Sequence, residues 1–133
     1  MEINRKAVAF VRTATQEQNK DSESIQLQIQ QLTLFAKRQK MELVRVFKLV
    51  GKTNQQLLKI LRYCQKNDIK FVLVTGPDRI SKNQEEVIYW QLEFDRFDIR
   101  FQTPRKTTGK FGFRPSIYYK KTGTEYIYQP FER

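Results

Sequence analysis

The chain has 133 residues and a formal net charge of +11, because it carries 25 Lys and Arg against 14 Asp and Glu. A single cysteine and the absence of histidine exclude an intrachain disulfide, a plausible zinc site and histidine general-base catalysis. No apolar run approaches the roughly 20 residues of a membrane span. We therefore expect a soluble, cytoplasmic protein without membrane contact, metal or cofactor, whose charge favours polyanionic partners such as nucleic acid.

The amino-terminal part of the chain predicts a strand, a helix and a second strand. Residues 6–11 form the first strand, and a helix follows to about Gln39 with Asp21 or Ser22 as its N-cap. The helix has one apolar face, because four apolar residues recur at spacings of four, three and four: Ile25, Ile29, Leu32 and Ala36. Residues 43–47 predict the second strand.

The middle of the chain continues this alternation. A second helix, capped by Thr53 or Asn54, places three residues on one face: Leu57, Leu61 and Cys64. Residues 69–75 are a nearly continuous apolar run, which is typical of a strand buried on both faces of a parallel sheet. A third helix from about Asn83 to Phe97 precedes a fourth strand over residues 99–103. This order predicts an α/β three-layer sandwich with a mostly parallel central sheet over residues 1–103.

Residues 104–133 form a predicted extension with a basic loop and a tyrosine-rich β-hairpin. Two aromatic, β-branched runs, 116–120 and 124–128, flank a turn at Gly123 and predict the hairpin. We expect non-specific DNA contact from four basic residues of the loop, Arg105, Lys106, Lys110 and Arg114. The alternative for the loop is an ordinary solvated basic surface. The hairpin is equally compatible with nucleic-acid contact and with packing on the sheet edge or a dimer interface.

Three short motifs occur in an order that points to one family. Phe10-Val11-Arg12-Thr13-Ala14-Thr15 ends the first strand, and Ser24-Ile25 followed by Gln28 opens the first helix. Asp78-Arg79-Ile80-Ser81-Lys82-Asn83 follows the third strand. Together, over roughly residues 5–103, they resemble the resolvase/invertase family of serine site-specific recombinases. The alternative is a flavodoxin-like domain with accidental matches.

The resemblance implies a phosphate-binding pocket. Family members cut DNA by attack of a serine hydroxyl on a phosphodiester, and arginines stabilise the charge that develops on the phosphate. By resemblance, Arg12 and Arg79 supply two of these guanidinium groups, Gln28 lines the same pocket and Asp78 orients the neighbouring arginine. Lys82 stands at another arginine position, where it keeps the charge but loses the bidentate fork. The alternative, which we favour less, is that Asp78 and Arg79 are an ordinary turn and helix-cap pair.

The departures from the family argue against catalysis. Ala14 occupies the position of the nucleophilic serine, so no catalytic residue of that kind is intact. The acidic position after the second strand and the arginine-bearing loop that follows it are missing, because Gly51 leads almost directly into the next helix. We expect an inactive recombinase homologue from a mobile element that binds DNA or regulates recombination. The alternative is an interaction module that forms homo-oligomers or assembles with an intact recombinase, without its own nucleic-acid role.

Overall fold

The computed structural model describes residues 4–13, 24–51 and 54–104, and the backbone of residues 118–122 and 125–129. Four strands form an all-parallel sheet in the order β2-β1-β3-β4: β1 (Lys6–Thr13), β2 (Glu42–Val50), β3 (Phe71–Leu73) and β4 (Arg100–Gln102). Three helices connect consecutive strands: α1 (Ile25–Arg38), α2 (Asn54–Asn67) and α3 (Gln84–Asp95). A short 3-10 turn, Pro77–Arg79, follows β3. The predicted α/β fold with a parallel central sheet is confirmed.

The helices cover both faces of the sheet. α1 packs against one face, where Leu32 and Ala36 meet the β1 residues Ala9 and Val11. α2 and α3 pack against the other face, onto a core that includes Val8, Phe10, Leu57, Ile60, Val87 and Phe94. Because successive strand residues point to opposite faces, the uninterrupted apolar run of β1 serves both cores.

Cys64 lies within the core on the α2 side. Its side chain is buried, and burial raises the pKa of its thiol to about 12. The thiol is therefore protonated at neutral pH and unreactive, as expected of a small core residue.

The strand order places a topological switch point between β1 and β3. From β1 the chain moves outward to β2 through α1, whereas from β3 it moves in the opposite direction to β4 through α3. In open parallel sheets, the crevice at the carboxyl ends of the two strands flanking such a point is the usual place for a ligand. The candidate site is therefore expected between the ends of β1 and β3.

Each helix ends in the same way. Lys40, Asp68 and Asp98 follow the three helices with positive φ angles of 58°, 56° and 61°. The next residue then donates its backbone N–H back into the helix, as Met41 does to the Ala36 carbonyl at 2.8 Å and as Ile69 and Ile99 do after α2 and α3. Such left-handed caps satisfy helix carbonyls and turn the chain sharply, so that β2, β3 and β4 begin within a few residues of the helix ends.

The structure differs from the sequence prediction mainly at element boundaries. Ser24, rather than Asp21 or Ser22, caps α1, because its Oγ accepts from the Leu27 N–H at 3.1 Å. Asp21 and Ser22 lie outside the described residues. β2 is longer than predicted because it pairs with β1 over all of Lys6–Thr13, and β3 and β4 are shorter because their mutual pairing covers only three residues each.

The carboxyl-terminal extension contributes a separate two-stranded sheet. β5 (Tyr118–Thr122) pairs antiparallel with β6 (Glu125–Gln129), with Tyr119 opposite Tyr128. The predicted hairpin strands are displaced by one or two residues relative to this pairing. The domain boundary between residues 103 and 104 stays a prediction. No helix within the described ranges is long and apolar enough to cross a membrane.

Candidate functional site

Arg12 occupies the centre of the crevice at the switch point. It is the seventh residue of β1, and its half-buried guanidinium donates from all three nitrogens to backbone carbonyls. Nε donates to Arg79 at 2.9 Å, Nη1 to Gly51 at 2.8 Å and Nη2 to Asp78 at 3.1 Å. One side chain therefore ties the end of β1 to the corner after β2 and to the turn after β3.

Gln28 holds the backbone of Arg12 from the other face of the sheet. Its Oε1 accepts from the Arg12 N–H and its Nε2 donates to the Arg12 carbonyl, both at 3.1 Å. The pairing of β1 with β3 covers only residues 7–9, so no β3 residue pairs with Arg12. The Gln28 amide therefore takes the place of a neighbouring strand. Gln28 is completely buried (0% exposed), and a buried amide needs hydrogen-bond partners of this kind.

Arg79 approaches the same point from the turn after β3. The residue is 7% exposed, and its side chain donates from Nη1 to the Arg12 carbonyl and from Nε to Thr75 Oγ1, each at 3.3 Å. The Arg12 carbonyl thus accepts from both Gln28 and Arg79, and Arg12 in turn donates to the Arg79 carbonyl. We call Arg12, Gln28 and Arg79, which form this closed set of hydrogen bonds, the switch-point cluster.

The switch-point cluster concentrates positive charge in a partly desolvated place. Burial lowers the pKa of the Arg12 guanidinium, the charge of Arg79 lowers it further, and Asp78 opposes the shift. Arg12 keeps its charge at neutral pH despite this shift, because guanidinium groups stay protonated in proteins. Two neighbouring cations at the carboxyl edge of the sheet favour an anion there.

The other predicted site residues have varied positions. Asp78 contacts the switch-point cluster through its backbone carbonyl, which accepts from Arg12. Lys82 is exposed in the segment between the turn and α3. Five more predicted positions lie outside the described residues: Ala14, Arg105, Lys106, Lys110 and Arg114. The roles in phosphate binding stay predictions.

Two residues that the sequence analysis did not select complete the site. Gly51 adopts φ +79° directly after β2 and presents its carbonyl to Arg12. Thr75 is fully buried after β3 and accepts from Arg79. A glycine at the end of a strand indicates a tight corner, so the sequence could have pointed to Gly51. Thr75 lies within an apolar run, and nothing in the sequence distinguishes it.

Comparisons with known proteins agree with this fold. The family model of the resolvase N-terminal domain matches residues 7–114, a range that contains the whole switch-point cluster. The C-terminal catalytic domain of ISC1926 TnpA, an IS607-like serine recombinase, is 25% identical with a TM-score of 0.64, over 79% of this chain and 71% of that chain.

A second solved structure shows the same fold. The N-terminal catalytic domain of TP901-1 integrase is 22% identical with a TM-score of 0.66, over 74% of this chain and 76% of that chain. No curated protein matches the sequence. The structural similarity spans most of this chain and of each relative.

Proposed function

Because the chain belongs to the family of resolvase N-terminal domains, we propose that it is a catalytically inactive serine-recombinase domain that binds DNA or regulates DNA recombination. The observation that carries the proposal is the engagement of Arg12 by three backbone carbonyls. An arginine that stabilises phosphoryl transfer must present its fork of N–H groups to phosphate oxygens. Here three of its five N–H groups already donate within the protein, so Arg12 acts as a structural link that keeps only two N–H groups for a phosphate.

The amino acid at position 14 supports the same conclusion. Alanine carries no hydroxyl, so it offers no atom to attack a phosphodiester and no link for a covalent intermediate. Restoring the hydroxyl alone is insufficient, because the charge that builds up on the phosphate also needs available guanidinium donors.

The net charge of +11 supports a role at DNA. Lys82 is exposed three residues after Arg79, and Arg105, Lys106, Lys110 and Arg114 follow β4 in the sequence. Neutralisation of phosphates by such residues releases condensed counterions and gives affinity without sequence selectivity.

Inactivity is tested by incubating the protein with supercoiled plasmid and analysing denaturing gels for protein–DNA adducts. We expect none from the wild type and none from Ala14→Ser. An active serine recombinase treated in parallel shows that adducts survive the analysis. A phosphoserine or phosphothreonine adduct from the wild type would overturn the proposal.

DNA binding is tested by fluorescence anisotropy of two unrelated duplexes over a range of salt concentrations. If about five phosphates are neutralised, log affinity falls against log salt with a slope near −4 to −5. A variant with Arg105, Lys106, Lys110 and Arg114 replaced by Ala should lose most of that slope for both duplexes. Absence of binding by the wild type at low salt contradicts the DNA role.

A second candidate function is assembly with an active recombinase or with another copy of the chain. The exposed surface of α1 favours it, because Leu27 and Leu34 lie two turns apart and are 43% and 60% exposed. Leu34→Gln should then lower the sedimentation coefficient of the assembled species and, because it adds no charge, leave DNA affinity unchanged. A monomer for both wild type and variant, alone and with a recombinase, contradicts assembly.

A further inference from the structure

A groove lies between the edge strand β2 and helix α2, on the sheet face opposite α1. Arg45, Phe47 and Leu49 alternate along β2, and Gln56, Lys59 and Tyr63 recur at i, i+3 and i+7 along α2, so the two periodicities line one space. Its volume is about 550 Å³, within the range of roughly 300–1,000 Å³ typical of small-ligand pockets. We call this space the β2–α2 groove.

Two aromatic rings hold the Arg45 side chain within the β2–α2 groove. Its guanidinium carbon lies 4.5 Å from the centre of the Phe47 ring and 4.9 Å from that of Tyr63. The two rings meet edge to face, with centres 5.4 Å apart. Cation–π contacts of this kind orient a planar guanidinium and leave its N–H groups available for an acceptor. Among the described residues, Arg45 has no carboxylate or carbonyl partner.

The surroundings of Arg45 favour an anion. Lys59 is a second exposed cation, and none of the described residues that line the β2–α2 groove is acidic. The first turn of α2, which contributes Gln55 and Gln56, also contains no acidic residue. The amino-terminal end of a helix carries a partial positive charge that adds to the field of the two cations.

We propose that the β2–α2 groove binds single-stranded nucleic acid, with a phosphate on Arg45 and Lys59 and a base stacked against the Phe47–Arg45–Tyr63 group. The ligand class rests on the proposed nucleic-acid role, and the groove adds a place for it distinct from the switch-point cluster and from residues 105–114. The paired cations suit a phosphate, and the flat aromatic and guanidinium surfaces suit a stacked base. An acidic peptide would use only the cations.

A single strand is favoured over a duplex for a geometric reason. An aromatic ring or a guanidinium plane can stack only on a base that is outside a duplex stack. The amide of Gln55, which is exposed at the start of α2, adds a hydrogen-bonding group for a base edge.

The test uses the full chain and a fluorescein-labelled 12-nucleotide single strand, with the corresponding duplex as a second probe. We expect the wild type to bind the single strand more tightly than the duplex at low salt. The double variant Arg45→Ala, Lys59→Ala should lose about tenfold or more in affinity for the single strand. Arg45→Lys keeps the charge and should lose part of the affinity without a change in salt slope.

The matched control removes two positive charges from the opposite face of the sheet. Lys37 and Arg38 are exposed in the last turn of α1, and their replacement by Ala should reduce affinity less than threefold. Equal losses in the two double variants, or no loss in the groove variant, overturn the groove proposal. If only the variant with Arg105, Lys106, Lys110 and Arg114 replaced by Ala loses binding, the groove proposal fails and the nucleic-acid role stands. If the wild type binds neither the single strand nor the duplex, the groove proposal and the nucleic-acid role are both wrong.

A measurement on the wild type avoids any effect of substitution on folding. Addition of the single strand to ¹⁵N-labelled protein should shift the backbone amide resonances of residues 45–49 and 55–63. Shifts confined to other parts of the chain overturn the groove proposal.

Discussion

Arg12 and Arg45 lie on the same face of neighbouring strands and have opposite surroundings. The pairing of β1 with β2 sets Val8 beside Arg45 and Arg12 beside Leu49, which puts both arginines on the side of α2 and α3. Arg12 donates to three backbone carbonyls, whereas Arg45 contacts two aromatic rings. The comparison teaches that an arginine on a strand is more available to a ligand where no unpaired carbonyl accepts from its N–H groups.

Position in the sheet explains the difference. Arg12 lies on the inner strand β1, three residues beyond Ala9, where the pairing of β1 with Phe71–Leu73 ends, and two chain corners approach it there. Arg45 lies on the edge strand, which has a partner on one side only. A central position therefore gave a structural arginine, and an edge position gave a solvent-facing one.

The largest effect in this comparison is expected from Arg12→Ala. The substitution removes three charge-assisted hydrogen bonds and leaves carbonyls of Gly51, Asp78 and Arg79 without that donor. We expect the free energy of unfolding to fall by about 3 kcal/mol, measured by denaturant unfolding. Arg62→Ala, which removes an exposed arginine of α2, should change it by less than about 0.5 kcal/mol. Equal stability of the two variants would show that the Arg12 links contribute little.

A smaller loss is expected from Gln28→Leu. Leucine fills the buried space but cannot bond to the Arg12 backbone, so the N–H of that residue loses its acceptor. The free energy of unfolding should fall by about 2 kcal/mol. Gln30→Leu, the same substitution on the exposed side of α1, serves as the control and should be nearly neutral. If Gln28→Leu is as stable as this control, the Gln28 amide does not stabilise the Arg12 backbone in place of a neighbouring strand.

The sequence predicted the scaffold better than the use of its polar groups. Alternating apolar runs placed β1 to β4 and the three helices, and the motif positions selected Arg12, Gln28 and Arg79. The partners of Arg12 escaped prediction because they are carbonyls brought together only by the finished fold. The β2–α2 groove also escaped, since the run Arg45-Val46-Phe47 does not reveal that its strand lies at the edge of the sheet.

Asp95 is a partly buried acidic residue at the carboxyl end of α3, and it can be compared with the partly buried cation Arg12. Burial raises the pKa of its carboxyl from the ordinary 3.8 to about 6, Arg100 opposes the shift and Asp98 adds to it. The folded protein therefore holds this proton more tightly than the unfolded chain. The resulting stability is fully present below about pH 4 and is lost as the pH rises through about 6.

Asp95→Asn should therefore be more stable than the wild type at pH 7.5, by about 1 kcal/mol once partial solvent exposure is taken into account. The advantage should disappear below about pH 4, where the wild-type carboxyl is protonated. Thermal unfolding at several pH values between 4 and 7.5 measures it. A difference that stays constant over this range would mean that the charge of Asp95 is not its cause.

The smallest effect on stability is expected from Arg45→Ala. Its cation–π contacts are exposed to solvent, so their loss should lower the free energy of unfolding by only about 0.5 kcal/mol. Denaturant unfolding of Arg45→Ala and Arg12→Ala under the same conditions compares the loss in the free energy of unfolding for the two arginines. A loss from Arg45→Ala as large as that from Arg12→Ala would erase the distinction between a structural and an available arginine.

The links made by Arg12 also have a consequence for local opening of the molecule. They join β1 to segments that are 39, 66 and 67 residues away in the sequence. Contacts this remote form only when the sheet has assembled, because each closes a long loop of chain. The end of β1, the Gly51 corner and the Pro77–Arg79 turn should therefore exchange their amide hydrogens with solvent as one cooperative unit rather than as three independent loops.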